Sequence, residues 1–168
     1  PLTADDLWQV SLWVQEDLCV LEYVEDSYRL TAASVCSPSN WDPASKIGRS
    51  LDDIHGPVPG YAQELATRVD RLFAALKPDK PLLRYNWSLQ PGSELYWQAK
   101  TDQESQAPTH WRVERQTLRR LPKSGAIVFG IRIFLHPLAQ LRTDPVFSRN
   151  LDHILSALPP DQRQYKGL

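Results

Sequence analysis

Alternating hydrophobic and polar positions predict a β-hairpin over residues 111–138. In residues 111–120, side chains that favour strands, such as Val113 and Thr117, stand among several ionisable groups. Residues 121–125 supply the turn, and residues 126–135 are apolar except for Arg132. Alternation divides the second arm between two faces: Ile127, Phe129, Ile131, Ile133 and Leu135 fall on one, and Ala126, Val128, Gly130, Arg132, Phe134 and His136 on the other. A glycine in mid-strand often marks a close approach by another backbone or a ligand.

The rest of the chain predicts three further strands and three helices. The strands are expected at residues 18–24, 28–35 and 82–90. Helical spacing over residues 61–76 predicts an amphipathic helix between the second and third strands. Thr3 with Asp6 predicts the start of an N-terminal helix, and Asp144 followed by Pro145 predicts the start of a C-terminal one.

This order of elements favours an α+β fold. Two strands, a helical crossover and three more strands suit a five-stranded antiparallel sheet with helices on one face. The succession resembles that of a PAS domain, so we expect one PAS-like domain over residues 1–168. In such a domain the crossover helix and the inner face of the sheet enclose the ligand cavity.

Composition limits the class of protein. A chain of 168 residues with 42% hydrophobic residues, six Trp, six Tyr and four Phe is expected to fold as one globular domain. A net charge of −1 gives no overall field that would gather nucleic acid or an anionic membrane. No apolar run approaches the roughly 20 residues that cross a bilayer.

The cysteines and the missing methionine add two expectations. In the predicted N-terminal hairpin, Cys19 stands opposite a residue near Ala32, which leaves Cys36 out of register for a disulfide. Two reduced thiols suit a cytoplasmic protein. The chain contains no Met, even at its start, and we interpret it as a piece of a longer protein.

Five ordered segments carry a family resemblance. The longest is ERQTLRRLPKSGAIVF, followed by a segment of the form IR-x-x-L-x-PL, and the others are VQEDLCVLE, IHGPVPGY, RYNW and QYKG. Together they resemble the haem-dependent oxidative N-demethylase alpha-subunit family, which is PAS-like. Members usually carry a further helical region before the VQEDL segment, so we expect this chain to lack one.

The resemblance implies an activity, a cofactor and partners. A b-type haem would bind oxygen and oxidise a methyl group of a small, dimethylamine-like secondary amine, releasing formaldehyde and a primary amine. Electrons would come from a separate partner with a flavin and an iron–sulfur cluster, and formaldehyde would pass to a folate-dependent partner. The alternative from another class is a sensory or scaffolding PAS module without catalysis.

Haem needs an axial ligand, and histidine is the first choice here. His55 precedes the crossover helix, and Pro57 and Pro59 stiffen the segment that follows it. His136 is the second candidate, at the end of the last strand. His110 is expected at a solvated loop-to-strand junction and His153 on the surface of the last helix. Satisfaction by backbone groups is the structural alternative for His55.

Haem propionates and a cationic amine require charged partners. Three arginines on successive strands, Arg84, Arg115 and Arg132, are candidates for the propionates. Asn86 shares a strand face with Arg84, and both could donate hydrogen bonds to a distal ligand. Glu114 is the candidate carboxylate for the amine, with Tyr85 and Trp87 as aromatic neighbours. The alternatives are structural ion pairs, and the sequence leaves open which face of residues 111–121 points inward.

Overall fold

Five antiparallel strands form the centre of the domain. A computed structural model describes residues 4–98, 107–166 and 168. The strands are β1 Asp17–Val24, β2 Ser27–Ser34, β3 Leu82–Gln90, β4 His110–Arg120 and β5 Ile127–Pro137. Their order across the sheet is β2-β1-β5-β4-β3. The predicted α+β, PAS-like class with a five-stranded antiparallel sheet is therefore confirmed.

Six α-helices flank the sheet in the described part of the chain. They are α1 Ala4–Ser11, α2 Leu51–His55, α3 Ala66–Ala75, α4 Leu138–Leu141, α5 Pro145–Ala157 and α6 Pro160–Tyr165. A π-helical turn, Tyr61–Leu65, opens the segment that was predicted as one regular helix. Asp144 caps α5 as predicted, because its carboxylate accepts hydrogen bonds from the backbone amides of Val146 and Phe147. The predicted cap at Thr3 lies outside the described residues.

The crossover helices cover one face of the sheet, which we call the inner face. Phe73 of α3, Leu76 just after it and Leu51 of α2 pack against Leu118 of β4 and Ile127 of β5. The strand register extends this face to Phe129, Ile131 and Ile133, as the alternation predicted. It also settles the open question about β4, because Arg112, Glu114, Gln116, Leu118 and Arg120 share the inner face.

Helix α5 covers one end of the opposite face of the sheet, which we call the outer face. Trp87 of β3 and Trp111 of β4 lie on this face, and Phe147 of α5 packs on Trp111 with 4.7 Å between ring centroids. Leu151, which is 1% exposed, belongs to the same cluster. The sequence predicted helices on the inner face alone. The two tryptophans attract α5 to the outer one because they are large apolar side chains that alternation points outward.

Two smaller expectations are settled by the register. Cys19 pairs with Ala33, one residue from the expected Ala32, and both thiols are free. The neighbour that approaches Gly130 is a side chain of this chain, because a Cβ there would lie 2.8 Å from Thr117 Oγ1. No helix in the described ranges is long and apolar enough to cross a membrane.

Arg120 fastens the end of the crossover helix to the sheet. Its guanidinium donates to the carbonyls of Phe73 and Leu76, where α3 ends, and to the hydroxyl of Tyr28 on β2. It also donates to the carbonyl of Gly125 in the turn before β5. A cation at the carboxyl end of a helix satisfies its last carbonyls and favours its dipole.

We expect the substitution Arg120→Met to lower the free energy of unfolding by about 2–3 kcal/mol, because it leaves several carbonyls without a charged donor. Arg119→Met, at the exposed neighbouring position, is the matched control and should change it by less than about 0.5 kcal/mol. Urea unfolding followed by circular dichroism measures both. Equal losses in the two variants would contradict the role given to Arg120.

Candidate functional site

Two buried ionised side chains fasten the loop after β2 to the sheet. The Asp17 carboxylate, on a residue 5% exposed, accepts hydrogen bonds from the amides of Cys36 at 2.8 Å and Ser37 at 3.1 Å. Arg112, 1% exposed, donates to the Ser37 carbonyl at 2.5 Å. The loop that leads toward His55 therefore leaves the sheet from a fixed point, which we call the Asp17–Arg112 anchor.

The Asp17–Arg112 anchor extends into a buried polar network. Arg112 also donates to Gln90 Oε1 at 3.3 Å and to the carbonyl of Leu95 at 3.2 Å, and its Nε lies 3.5 Å from Glu114 Oε1. Burial raises the pKa of Asp17, and the two amides and the Arg112 charge oppose that rise. The network compensates much of the cost of burying two charged groups.

His55 ends α2 in a geometry suited to a ligand. Its Nδ1 lies 2.8 Å from the carbonyl oxygen of Leu51, one helical turn earlier. A carbonyl accepts only, so Nδ1 carries the proton in the neutral ring and Nε2 keeps its lone pair. Burial lowers the pKa of His55 and the nearby positive charge of Arg84 lowers it further, while the hydrogen bond to Leu51 opposes both. The neutral form is the one that binds iron.

Tyr61 fixes the plane of the His55 ring. The two rings stack with centroids 4.6 Å apart and planes 9° apart. Tyr61 is buried at the start of the π-helical turn, directly after Gly60, whose φ of 74° favours glycine. Burial also raises the pKa of Tyr61 to about 12. Single π-helical turns occur often at functional sites, and here the turn places an aromatic ring against the candidate ligand.

A polar and apolar floor lies on the inner face of β3, β4 and β5. Two rows cross these strands, Arg84–Gln116–Ile131 and Asn86–Glu114–Ile133. Arg84 and Asn86 are exposed and the isoleucines are half-buried. The floor therefore combines an exposed guanidinium and an exposed amide with a half-buried carboxylate and two half-buried isoleucines.

Glu114 is the carboxylate of this floor. Its Oε2 accepts a hydrogen bond from Gln116 Nε2 at 2.8 Å and a long one from Asn86 Nδ2 at 3.5 Å. Its Oε1 meets Arg112 Nε at 3.5 Å. This ion pair with Arg112 corresponds to the structural role that the sequence left open for Glu114. The long distance leaves Oε1 lone pairs for another cation.

The other predicted site residues do not share this floor. Side-chain alternation puts Tyr85, Arg115 and Arg132 in a row on the outer face, and Trp87 and His136 lie on that face too. There Trp87 packs on Trp111, and Arg115 pairs with Glu16 at 2.8 Å. The structure therefore places Arg84, Asn86 and Glu114 on one face of the sheet and does not bring the three arginines together. Tyr85 and Trp87 are not neighbours of Glu114 for the same reason.

Two recesses of the described chain lie away from His55. One of about 640 Å³ lies between the β1–β2 turn, α2 and α3, and includes Asp52, Asp70 and Arg120 in its lining. Another of about 320 Å³ lies beside it, next to Gly125. Neither is lined by His55 or Arg84. Arg84 and Asn86 of the floor are exposed.

Three residues of the site escaped the sequence analysis. Asp17 stood in the VQEDL segment without a role, Arg112 stood among five charged positions of one strand, and Tyr61 was counted as part of a buried helical stripe. Asp17 lies in the VQEDLCVLE segment and Tyr61 in the IHGPVPGY segment, so the family resemblance of these segments was the available signal. Asp17 and Arg112 have hydrogen-bond partners that are distant in sequence, and Tyr61 reaches His55 through a π-helical turn.

The fold defines a PAS-like α+β domain, and its helix α2 ends in a histidine whose ring is oriented by the Leu51 carbonyl and by Tyr61. The family model described as "Haem-dependent oxidative N-demethylase, alpha subunit-like" matches residues 3–168. The chain belongs to that family, as the ordered segments predicted.

We expect Asp17→Ala to lower the free energy of unfolding by about 3 kcal/mol, because it leaves the amides of Cys36 and Ser37 without an acceptor and removes a negative charge near Arg112. Glu22→Ala, at an exposed position of the same strand, should cost less than about 0.5 kcal/mol. Urea midpoints measure both. Asp17→Asn keeps an acceptor for the amides and should fall between the two. A loss in Asp17→Ala no larger than in the control would exclude the anchor.

Proposed function

We propose that the chain is the haem-holding domain of an oxidative N-demethylase subunit, with Nε2 of His55 as the axial ligand of a b-type haem. The family name supplies the haem dependence. The observation that carries the proposal is the His55 geometry: a bond from Nδ1 to Leu51 and a parallel stack on Tyr61. Histidines that bind haem or a metal commonly donate a hydrogen bond from their other ring nitrogen, which fixes the tautomer and the angle of the ring.

The donor set of the inner face fits haem. His55 offers the axial nitrogen, Ile131 and Ile133 offer apolar surface, and Arg84 offers a guanidinium for a propionate. Within the described residues Arg84 makes no hydrogen bond or ion pair. When bound, the haem would supply the oxidation of an N-methyl group by dioxygen, two electrons and two protons, giving formaldehyde, a primary amine and water.

Glu114 is proposed to hold the substrate, a small dimethylamine-like secondary amine. Such an amine is cationic at neutral pH, and the Glu114 Oε1 has room for it beside the long contact to Arg112. Asn86 and Gln116 keep the carboxylate in place through its other oxygen. The chain's own contribution is then to bind and orient the amine over the same floor that bears Arg84.

Partners are proposed from the family name. An alpha subunit implies other subunits, and we propose that a separate flavin and iron–sulfur protein delivers the electrons and that a folate-dependent one accepts formaldehyde. A cytoplasmic setting with reduced Cys19 and Cys36 belongs to the same proposal.

Haem binding by His55 is tested by titration. The purified chain should take up about one equivalent of haem and show a Soret band, and His55→Ala should lower the affinity at least tenfold and shift the band. His153→Ala, at an exposed histidine of α5, is the control and should leave both unchanged. An unaltered spectrum and affinity in His55→Ala would exclude His55 as the ligand.

Turnover is tested with the haem-loaded chain, a chemical or enzymatic electron source, oxygen and dimethylamine. Formaldehyde release is measured, and Glu114→Gln should raise the KM for the amine about tenfold or more, because one charge pair on a partly buried site is worth over 1 kcal/mol. Equal haem loading of both proteins is the control. Haem binding without formaldehyde in the wild-type chain would favour the sensory PAS module.

A further inference from the structure

Three arginines lie on the outer face of the sheet and take no part in the proposed site. Arg115 of β4 and Arg132 of β5 are directly opposite each other, and like charges at opposed positions destabilise a sheet. Arg119 lies four residues along β4 on the same face and is exposed. Glu16 pairs with Arg115. Elsewhere in the described chain neither Arg119 nor Arg132 meets an acid within ion-pair distance.

Exposed apolar groups surround these arginines. Tyr85, 63% exposed, is the direct cross-strand neighbour of Arg115, and Leu83 precedes it on the same face of the edge strand β3. On β5 the Arg132 guanidinium lies over the ring of Phe134, 5.4 Å from its centroid. Helix α5 reaches Trp87 and Trp111 at one end of this face, so the arginines remain accessible. We call Leu83, Tyr85, Arg115, Arg119, Arg132 and Phe134 the outer basic patch.

We propose that the outer basic patch docks the acidic surface of a separate electron-transfer protein, and the choice of that occupant rests on the function proposed above. Charge complementarity is the argument: unpaired arginines on a face favour a carboxylate-rich partner and steer its approach. The mixture of arginine, tyrosine and phenylalanine is typical of the centre of a protein interface. A patch of six side chains suits the small interfaces of transient redox complexes.

The location of the outer basic patch agrees with such a partner. Tyr85 lies between Arg84 and Asn86, and Arg115 follows Glu114, so neighbouring residues of the same strands point to the site and to the patch in alternation. The patch is therefore the reverse side of the sheet face that carries Arg84, Asn86 and Glu114. A protein seated on it is separated from the candidate site by a single layer of strands.

Other occupants fit the outer basic patch less well. A second copy docked by two-fold symmetry would set the patch against itself and face arginine with arginine. Nucleic acid interfaces are strongly basic and polar, whereas half of this patch is apolar and the whole chain has a net charge of −1. These occupants give separate outcomes in the experiment.

The test uses the full chain, with and without added haem, and an acidic [2Fe–2S] ferredoxin as probe. Calorimetry at 50 mM NaCl should show saturable one-to-one binding that weakens about tenfold at 300 mM NaCl, where surface charges are screened. Arg132→Glu and Arg119→Glu should each weaken binding about tenfold. Arg68→Glu, an equal charge reversal at an exposed arginine of α3, should stay within about twofold of the wild-type chain. Circular dichroism confirms that each variant is folded.

Several results would overturn the docking proposal. They are an absence of ferredoxin binding at 50 mM NaCl, equal affinities of Arg132→Glu and Arg68→Glu, tighter binding to a DNA duplex than to ferredoxin, or a dimer that Arg132→Glu dissociates. Binding is measured in both haem states, so failure of docking is separable from failure of the proposed function. A chain that takes no haem yet binds ferredoxin through the patch would refute the haem proposal alone.

Discussion

The buried hydrogen bonds between Asp17, Arg112 and the backbone of residues 36–37 are the constraint on which the site depends. They join the start of the first strand, the start of the fourth and the beginning of the long loop to α2. Two buried charged groups in this position cost desolvation energy, so they add less to stability than apolar groups of the same size would. Their contribution is a single arrangement of the loop, since any displacement leaves a buried charge without a partner.

Side chains that alternate along β3, β4 and β5 give the two faces of the sheet different residues and different proposed functions. On the inner face of β3–β5 are Arg84, Asn86 and Glu114, and on the outer face are Arg115, Arg119 and Arg132 with exposed aromatic rings. Because neighbouring residues serve opposite faces, the ligand floor and the proposed docking surface share the same backbone. On the inner face, Arg120 joins the sheet to the end of α3. On the outer face, helix α5 packs on the sheet at Trp111.

Sequence periodicity could predict the strands, the crossover and the fold class, because alternation and helical spacing are local properties. The family resemblance, rather than periodicity, led to His55, Arg84, Asn86 and Glu114 as candidates. Periodicity could not group them correctly, because strand 111–120 has charges on both faces and only pairing with its neighbours decides which face is inner. The stacking of Tyr61 on His55 depends on a π-helical turn that helical spacing does not distinguish from a regular helix. The contacts of Asp17 and Arg112 join positions far apart in sequence, so no local pattern indicates them.

Amide hydrogen exchange, measured peptide by peptide, tests the anchoring of the loop most directly. In the wild-type chain the amides of Cys36 and Ser37 should exchange slowly, because a buried carboxylate accepts their hydrogen bonds. The account predicts that Asp17→Ala accelerates exchange throughout residues 36–61, including the turn that carries His55, while β4 and β5 keep their protection. Acceleration confined to residues 36–37, with residues 50–61 unchanged, would contradict the claim that this buried pair positions the site.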